Sequence, residues 1–187
     1  MDHYIDIRLL PDPEFPVPLL MNALFAKLHR GLAEAAEGRI GVSFPEHDND
    51  IPRLGACLRL HGDRESLQFL MALDWLKGIR DHTHVSETHP IPAPKGYRRV
   101  RRVQAKSSPE RLRRRYRKRH HVDAITAQDA IPDSAAEYVS LPYATLNSQS
   151  TGQRFRLFIA HDPVMKEATP GPFSDYGLSS IATVPWF

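Results

Sequence analysis

Residues 4–9 have the sequence YIDIRL, and the pattern that they begin decides the predicted fold. Ile5, Ile7 and Leu9 alternate with Tyr4, Asp6 and Arg8, which is typical of a strand with one buried face. A proline-rich turn, PDPEFPVP, follows at residues 11–18. The apolar residues after it recur at spacings of three and four, which predicts a long amphipathic helix that ends at Gly38. Its stripe consists of Leu20, Met21, Leu24, Phe25, Leu28 and Leu32.

The next elements complete a βαββαβ order. Alternating apolar residues predict strands at residues 40–44 and 54–60, and Asp63 is predicted to cap a second helix that carries Leu67, Leu70 and Met71. Residues 83–87 supply a fourth strand. This order predicts a ferredoxin-like domain, in which two helices cover one face of a four-stranded antiparallel sheet, within an α+β fold. The stiff segment HPIPAP at residues 89–94 is the predicted boundary, so the predicted domains are residues 1–94 and 95–187.

The second half begins with a concentration of positive charge. Residues 95–121, KGYRRVRRVQAKSSPERLRRRYRKRHH, hold 13 of the 25 Lys and Arg residues and one acid, Glu110. The other 12 basic residues stand against 21 acidic ones, so the formal charge of +3 combines a basic segment with an acidic remainder. A local positive field gathers polyanions, and each phosphate neutralised releases counterions. Nucleic acid is therefore the predicted partner.

This basic stretch has two parts. Residues 98–105 alternate and favour an extended linker or a strand. Ser107 or Ser108 is then placed to cap a helix that starts near Pro109. Leu112 and Tyr116 form a small apolar pair on one side of this helix. Its basic face consists of Arg111, Arg114, Arg115, Lys118 and Arg119.

A charge run is more often a solvated face than a binding site. Here arginine outnumbers lysine, and guanidinium groups suit phosphates and guanine edges. These positive charges on one helix also repel each other, which favours a permanently bound anionic partner. A basic helix on a membrane surface is the competing interpretation, but that helix needs more apolar area than Leu112 and Tyr116 provide.

The remaining segments are less distinctive. Residues 122–140 are predicted as helix or loop, and residues 143–149 and 153–161 as a hairpin with Phe155, Leu157 and Ile159 on one side. The terminal aromatic residues are expected to hold the chain end against the core. Hydrophobic residues make up 41% of the 187 residues, which predicts a folded protein. The single cysteine, Cys57, and the absence of a long apolar run favour a soluble cytoplasmic protein.

Few residues indicate chemistry. His82 with His84, and His120 with His121, lack a third ligand, so no metal and no cofactor are predicted. His29 lies four residues after Phe25, at the edge of the first helix's apolar stripe. A packed core histidine is the more common outcome at such a position. If His29 instead faces RNA, its imidazole can remove a proton near neutral pH, and the RNA carries its own nucleophile, the 2′-hydroxyl.

Five motifs in order carry a family resemblance over nearly the whole chain. They are MDHYIDIRL at residues 1–9, LHRGL at 28–32, RVQAKSSPERLRRR at 102–115, LNSQSTGQRFRLFI at 146–159, and YGL at 176–178 followed by VPWF at 184–187. Together they resemble the type I-F CRISPR repeat-processing endoribonucleases, the Csy family. The resemblance implies a ferredoxin-like domain joined to an RNA-binding domain with an arginine-rich helix and a β-hairpin. The family cleaves each repeat at the base of its hairpin.

The resemblance also implies roles for particular residues. His29 matches a general base, Ser148 a serine that holds the 2′-hydroxyl, and Tyr176 a tyrosine that positions the histidine. Arg102 and Gln104 match readers of base pairs in the lower stem, and Phe155 matches an aromatic residue that stacks under the closing pair. Arg114, Arg115, Lys118 and Arg119 match the helix that enters the hairpin groove, and Ser150 is assigned to RNA binding. The family's tail after YGLS is usually richer in glycine than Ser180, Ile181, Ala182 and Thr183 here.

Two functions follow from these observations. The first is a metal-independent endoribonuclease that cuts CRISPR precursor RNA, leaves a 2′,3′-cyclic phosphate and stays bound to the product hairpin. The resemblance places such a protein in the type I-F surveillance complex, with CRISPR RNA as its partner. The alternative is an RNA-hairpin-binding protein without turnover, held by the same arginines.

Overall fold

The computed structural model describes residues 1–35, 38–104, 109–132, 139–148 and 152–187, and it is an α+β protein as predicted. The helices are α1 (Val17–Ala35), α2 (Arg64–Ala72), α3 (Pro109–His120) and α4 (Ala124–Ala130), and Arg80–His82 form a 3-10 turn. The strands are β1 (His3–Leu9), β2 (Gly41–Ser43), β3 (Cys57–Gly62), β4 (Thr83–Val85), β5 (His89–Pro90), β6 (Gly96–Arg98), β7 (Val100–Val103), β8 (Tyr143–Asn147), β9 (Arg154–His161) and β10 (Val184–Trp186).

The first sheet has the strand order β2-β3-β1-β4, and all of its pairs are antiparallel. With α1 and α2 between the strands, this is the βαββαβ arrangement that the alternation in residues 4–9 begins to predict. Ile5, Ile7 and Leu9 are 2%, 0% and 3% exposed, so the predicted buried face of β1 is confirmed. His89 and Pro90, at the start of the segment predicted as the domain boundary, pair with the start of β1.

Two helices cover the sheet and complete the core. The entire apolar stripe predicted for α1 is buried. Gly31 permits close packing against α2 and the segment after it, since a Cβ there would lie 3.1 Å from Cγ of Trp75 and 3.2 Å from Cδ1 of Leu70. Asp63 caps α2 as predicted, because its carboxylate accepts a hydrogen bond of 2.8 Å from the Ser66 N–H.

A second sheet has the order β7-β9-β8, again antiparallel. The predicted hairpin is confirmed in β8 and β9, while residues 149–151 lie outside the described part of the chain. Of the two alternatives for residues 98–105, an extended linker or a strand, the strand is confirmed for Arg98 in β6 and for residues 100–103 in β7. The chain end is held as expected: β10 pairs with β6, and Phe187 packs its ring at 4.8 Å from that of Tyr4.

Contacts divide the described chain into two units. One consists of residues 1–103 and 141–187, and the other of residues 104–140. The domain boundary predicted near Pro94 stays a prediction. Within the larger unit, the cores of both sheets belong to one continuous apolar cluster that runs from Ile5 to Val184.

The smaller unit contains α3 and α4. As predicted, α3 buries little: Leu112 and Tyr116 are half-buried and its described basic side chains other than Arg113 are exposed. Arg113 joins the two helices, since its Nε donates to the carbonyl oxygen of Ile131 at 2.7 Å. The predicted capping serines, Ser107 and Ser108, lie outside the described residues. Searched over its described part, the chain contains no helix that is long and apolar enough to cross a membrane.

Candidate active site and nucleic-acid interface

His29 lies on the exposed edge of α1 and is half-buried. Its Nδ1 lies 2.9 Å from the backbone carbonyl oxygen of Asp175. Because a carbonyl oxygen can only accept, Nδ1 carries the proton, and in the neutral ring Nε2 is left with the lone pair. The ring stacks on Tyr176 with centroids 4.0 Å apart and planes at 7°. Two adjacent residues therefore fix both the tautomer and the plane of His29.

The turn that carries these two residues is held against the first sheet. The N–H of Gly177 donates to the Ser174 carbonyl at 2.7 Å, and the N–H of Val42 donates to the Gly177 carbonyl at 2.9 Å. Gly177 has a φ of +68°, and a Cβ there would lie 2.5 Å from Cγ1 of Val42. Only glycine meets both conditions.

The glycine-poor tail after this turn is held by Ser179 instead. Its hydroxyl accepts from the N–H groups of Ile181 at 3.1 Å and Ala182 at 2.8 Å, and donates to the Pro172 carbonyl at 2.8 Å. A side-chain hydroxyl thereby satisfies backbone groups of the loop, in the manner of local serine motifs. The departure from the family's usual tail is compatible with an ordered turn at Tyr176.

Ser148 lies on a different element from His29, immediately after β8. Its N–H donates to the Gln153 carbonyl at 2.9 Å, and its carbonyl accepts from the Gly152 N–H at 2.8 Å, so the backbone of Ser148 is held in the hairpin. The edge of β8 is tied to α1 by Asn22, whose Oδ1 accepts from the Thr145 N–H at 2.7 Å. The element that carries Ser148 is thus attached to the helix that carries His29.

Helix α1, the β8–β9 hairpin and the turn at Tyr176 line a cleft of about 530 Å³. This cleft brings together all three predicted catalytic residues, His29, Ser148 and Tyr176. Its lining consists of Leu19, Asn22, Ala23, Ala26, His29, Arg30, Thr145, Leu146, Asn147, Ser148, Arg154 and Tyr176. Sequence analysis missed Asn22, Arg30 and Arg154. Asn22 has a recognisable signal, because it precedes His29 by seven residues and therefore lies on the same face of α1, two turns earlier.

The predicted RNA-binding residues of the larger unit meet on the second sheet. Arg102 is exposed on β7, and its guanidinium carbon lies 6.0 Å from the ring centroid of the half-buried Phe155. Its neighbours are engaged within the protein: Arg99 and Arg101 both pair with Asp162, at 2.6 Å and 3.0 Å. Arg102 differs from these two in presenting its charge to solvent.

The remaining predicted RNA-binding residues, except Ser150, belong to the smaller unit. Gln104 is exposed directly after β7, and the four basic residues assigned to the groove-binding helix, Arg114, Arg115, Lys118 and Arg119, are all exposed on α3. Ser150 lies outside the described residues. The RNA-binding role of each of these residues stays a prediction.

Other histidines have structural environments. His61 is fully buried against the Ser43 hydroxyl at 2.8 Å, and burial lowers its pKa to about 3. His161 accepts from the Phe44 N–H at 3.2 Å and stacks on His47, and burial lowers its pKa to about 2. His82 pairs with Asp12 at 2.9 Å. Among the residues that the structure describes, no group of three His, Cys, Asp or Glu side chains is placed to hold a metal ion.

The protein has a ferredoxin-like sheet, an oriented histidine in a cleft, and an arginine-rich helix. These features are typical of proteins that bind a polyanion. Comparison with known sequences narrows that class. Residues 4–187 match the family described as CRISPR-associated protein (Cas_Csy4), and the chain belongs to this family.

Two curated relatives align along their whole length. The chain is 53% identical to the CRISPR-associated endonuclease Cas6/Csy4 of Pseudomonas aeruginosa (strain UCBPP-PA14) over 187 residues, covering 100% of both sequences. It is 49% identical to the protein of the same name from Escherichia coli (strain UTI89 / UPEC), again over 187 residues and 100% of both. The family recognised from five short motifs is confirmed, and with it the prediction of an endonuclease.

Proposed function

We propose that this chain is an endoribonuclease that cleaves CRISPR precursor RNA at the base of the repeat hairpin without a metal ion. The observation that carries the proposal is the orientation of His29. Its Nδ1 donates to a backbone carbonyl and its ring stacks on Tyr176, so Nε2 is the basic atom in a cleft that Ser148 also lines. A histidine held in one tautomer beside a polar cleft suits general base catalysis.

In the proposed reaction, Ser148 orients the 2′-hydroxyl of the nucleotide before the cut. His29 Nε2 accepts the hydroxyl proton as the 2′-oxygen attacks the adjacent phosphorus atom. The bond between phosphorus and the 5′-oxygen breaks, that oxygen takes up a proton from water, and His29 returns the proton that it accepted to the solvent. The products are a 2′,3′-cyclic phosphate and a 5′-hydroxyl. Alignment and proton removal both contribute to catalysis, and the RNA supplies the nucleophile.

Recognition of the RNA is assigned to two exposed regions, the segment with Arg102 and Gln104 and the helix α3. Arg102 and Gln104 suit guanine and adenine edges through paired hydrogen bonds, and Phe155 offers a ring for stacking beneath the closing base pair. The major groove of A-form RNA is deep and narrow, but a short hairpin is open at its ends, where one arginine-rich helix can enter. Arg114, Arg115, Lys118 and Arg119 of α3, together with Ser150, would then bind phosphates.

The same resemblance supports two wider proposals. The product hairpin stays bound after cleavage, because the contacts to the stem do not depend on the scissile bond. The chain then acts as the CRISPR RNA-holding subunit of the type I-F surveillance complex in the cytoplasm.

A cleavage assay in excess chelator tests the proposed function. Wild-type protein should convert repeat RNA into two fragments, with a 2′,3′-cyclic phosphate on the upstream fragment. His29→Ala should bind the same RNA and cut it at least about 10²-fold more slowly, as expected for loss of a positioned proton acceptor. RNA that stays intact under tight binding by the wild type would instead identify a hairpin-binding protein without turnover.

A further inference from the structure

The cleft around His29 has a one-sided charge. Its lining residues include two arginines, Arg30 and Arg154, and none of the described residues that line it is Asp or Glu. Both arginines are exposed. The sequence patterns assign no role to either of them. A cleft with fixed positive charge and no carboxylate is suited to an anionic group.

Six other arginines of the same unit form ion pairs with carboxylates of the protein. Their carboxylate partners lie 2.5–3.2 Å away, in the pairs Arg8–Glu46, Arg53–Asp48, Arg59–Asp6, Arg80–Asp74, Arg99–Asp162 and Arg101–Asp162. Arg30 and Arg154 form no ion pair with any carboxylate in the described part of the chain. Their charges are therefore available to a ligand.

The two arginines stand on opposite walls, each beside a proposed catalytic residue. Arg30 directly follows His29 in α1. Arg154 begins β9 and pairs in register with Asn147, the residue before Ser148. The Asn22–Thr145 hydrogen bond joins the two walls. Both arginines line the cleft that His29 and Ser148 also line, so a phosphodiester bound there would share the cleft with both guanidinium groups.

We propose that Arg30 and Arg154 bind the scissile phosphate and stabilise the negative charge that it gains during cleavage. Attack by the 2′-oxygen adds a fifth oxygen to phosphorus, and the charge spreads over the non-bridging oxygens. Planar guanidinium groups donate paired hydrogen bonds to such oxygens. Donors already in place when the charge develops lower the barrier most. This inference deepens the proposed function and rests on it.

The direct test uses affinity and needs no turnover. Two hairpin RNAs are compared that end at the cut position in a 3′-phosphate or a 3′-hydroxyl. Wild-type protein should bind the phosphate form at least about tenfold more tightly, as expected for charge-assisted hydrogen bonds. Arg30→Gln and Arg154→Gln should each reduce this preference, and the double variant should abolish it. Arg154→Lys, which keeps the charge, should retain part of it.

Arg156 provides the matched control. It lies two residues further along β9, is also exposed, and stacks its guanidinium at 4.7 Å from the ring of Tyr143 rather than lining the cleft. Arg156→Gln should leave the preference for the 3′-phosphate unchanged. A wild type with no such preference, a double variant that keeps it, or an equal loss in Arg156→Gln would each overturn the inference. Melting curves of all variants separate these outcomes from unfolding.

Cleavage at saturating protein gives the second readout. Each Gln variant should lower the single-turnover rate by about 10²-fold, the effect of removing one donor from a developing oxyanion. If the wild type cleaves and the double variant cleaves equally fast, the inference fails and the proposed function stands. If the wild type does not cleave, the proposed function fails, and the phosphate preference still decides whether the arginines form an anion site.

Discussion

At the scale of single residues, the catalytic proposal depends on how firmly His29 is held. Asp175 supplies the hydrogen-bond acceptor and Tyr176 the stacked ring, both from one turn that lies 146 residues further along the chain. Gly177 lets this turn approach β2. The imidazole is thereby oriented before RNA arrives, which removes part of the entropy cost of the reaction.

The stacked ring gives the first prediction. Tyr176→Phe keeps the aromatic plane against His29 and should cleave close to the wild-type rate. Tyr176→Ala removes the stacked plane, so the imidazole loses its fixed orientation and cleavage should slow by about 10²-fold, the effect of a small misplacement of a catalytic group. Single-turnover assays of both variants make the measurement. A large loss in Tyr176→Phe would show that the hydroxyl, and not the stacked ring, is the functional part.

A buried histidine gives the second prediction, on the pH dependence of stability. Burial lowers the pKa of His61 from its ordinary value of 6.5 to about 3. Between these values the unfolded chain binds a proton that the folded chain does not, so stability is fully present above pH 6.5 and falls as the pH is lowered. The contribution of one such group is about 1.4 kcal/mol per pH unit.

Denaturant unfolding from pH 6.5 to pH 4 measures that slope. The variant His61→Gln should lose stability at pH 7 but show a shallower fall with decreasing pH, because it lacks the titrating ring. His84→Gln removes a histidine that is exposed on β4 and serves as the control. Equal slopes in the wild type and His61→Gln would contradict the assignment.

At the scale of elements, the joint between α1 and β8 decides whether His29 and Ser148 share a cleft. β8 is an edge strand of the second sheet, and edge strands carry unpaired N–H groups. Asn22 covers one of them through its bond to Thr145. Helix and strand are therefore fastened at a point two helical turns from His29.

Replacement of Asn22 tests this joint. Asn22→Ala removes the acceptor and should slow cleavage by about tenfold or more, since loosening of a positioned pair lowers the rate. Asn22→Asp keeps an acceptor oxygen and should restore most of the rate. The affinity for the hairpin should change little in both variants, because Asn22 lies outside the proposed stem contacts. Loss of affinity in parallel with rate would indicate a general disruption of the fold.

Helix α3 carries the prediction for affinity. Arg114 and Lys118 are exposed one turn apart on it, and each is proposed to bind phosphate. Replacing either by Gln should weaken binding and lower the slope of log K against log salt concentration by about one. Arg80→Gln serves as the control, because Arg80 pairs with Asp74 in the larger unit. Unchanged salt slopes in the α3 variants would exclude them as phosphate contacts.

At the scale of the whole molecule, local patterns predict most of the elements and few of their long-range partners. The alternation around Ile7 and the stripe of Leu24 and Phe25 establish strand and helix, because burial of one face enforces a period. The pairing of β10 with β6, and of His89 with Tyr4, joins distant segments that no local period connects.

The candidate site, like the fold, could be predicted from the sequence only in part. His29 could be singled out from its place beside an apolar stripe, and its role came from the resemblance. The partner of its Nδ1 is a backbone carbonyl, which leaves no mark on the side-chain pattern. Arg30 and Arg154 become candidates for phosphate binding only when the fold shows that they line a cleft without carboxylates.

The central claim is that the RNA's own 2′-hydroxyl is activated by His29 in this cleft. The most direct measurement compares repeat RNA with the same RNA that carries a single 2′-deoxy nucleotide immediately upstream of the cut. The account predicts equal affinities for wild-type protein and complete loss of cleavage of the deoxy substrate in excess chelator. Continued cutting of the deoxy RNA would contradict it.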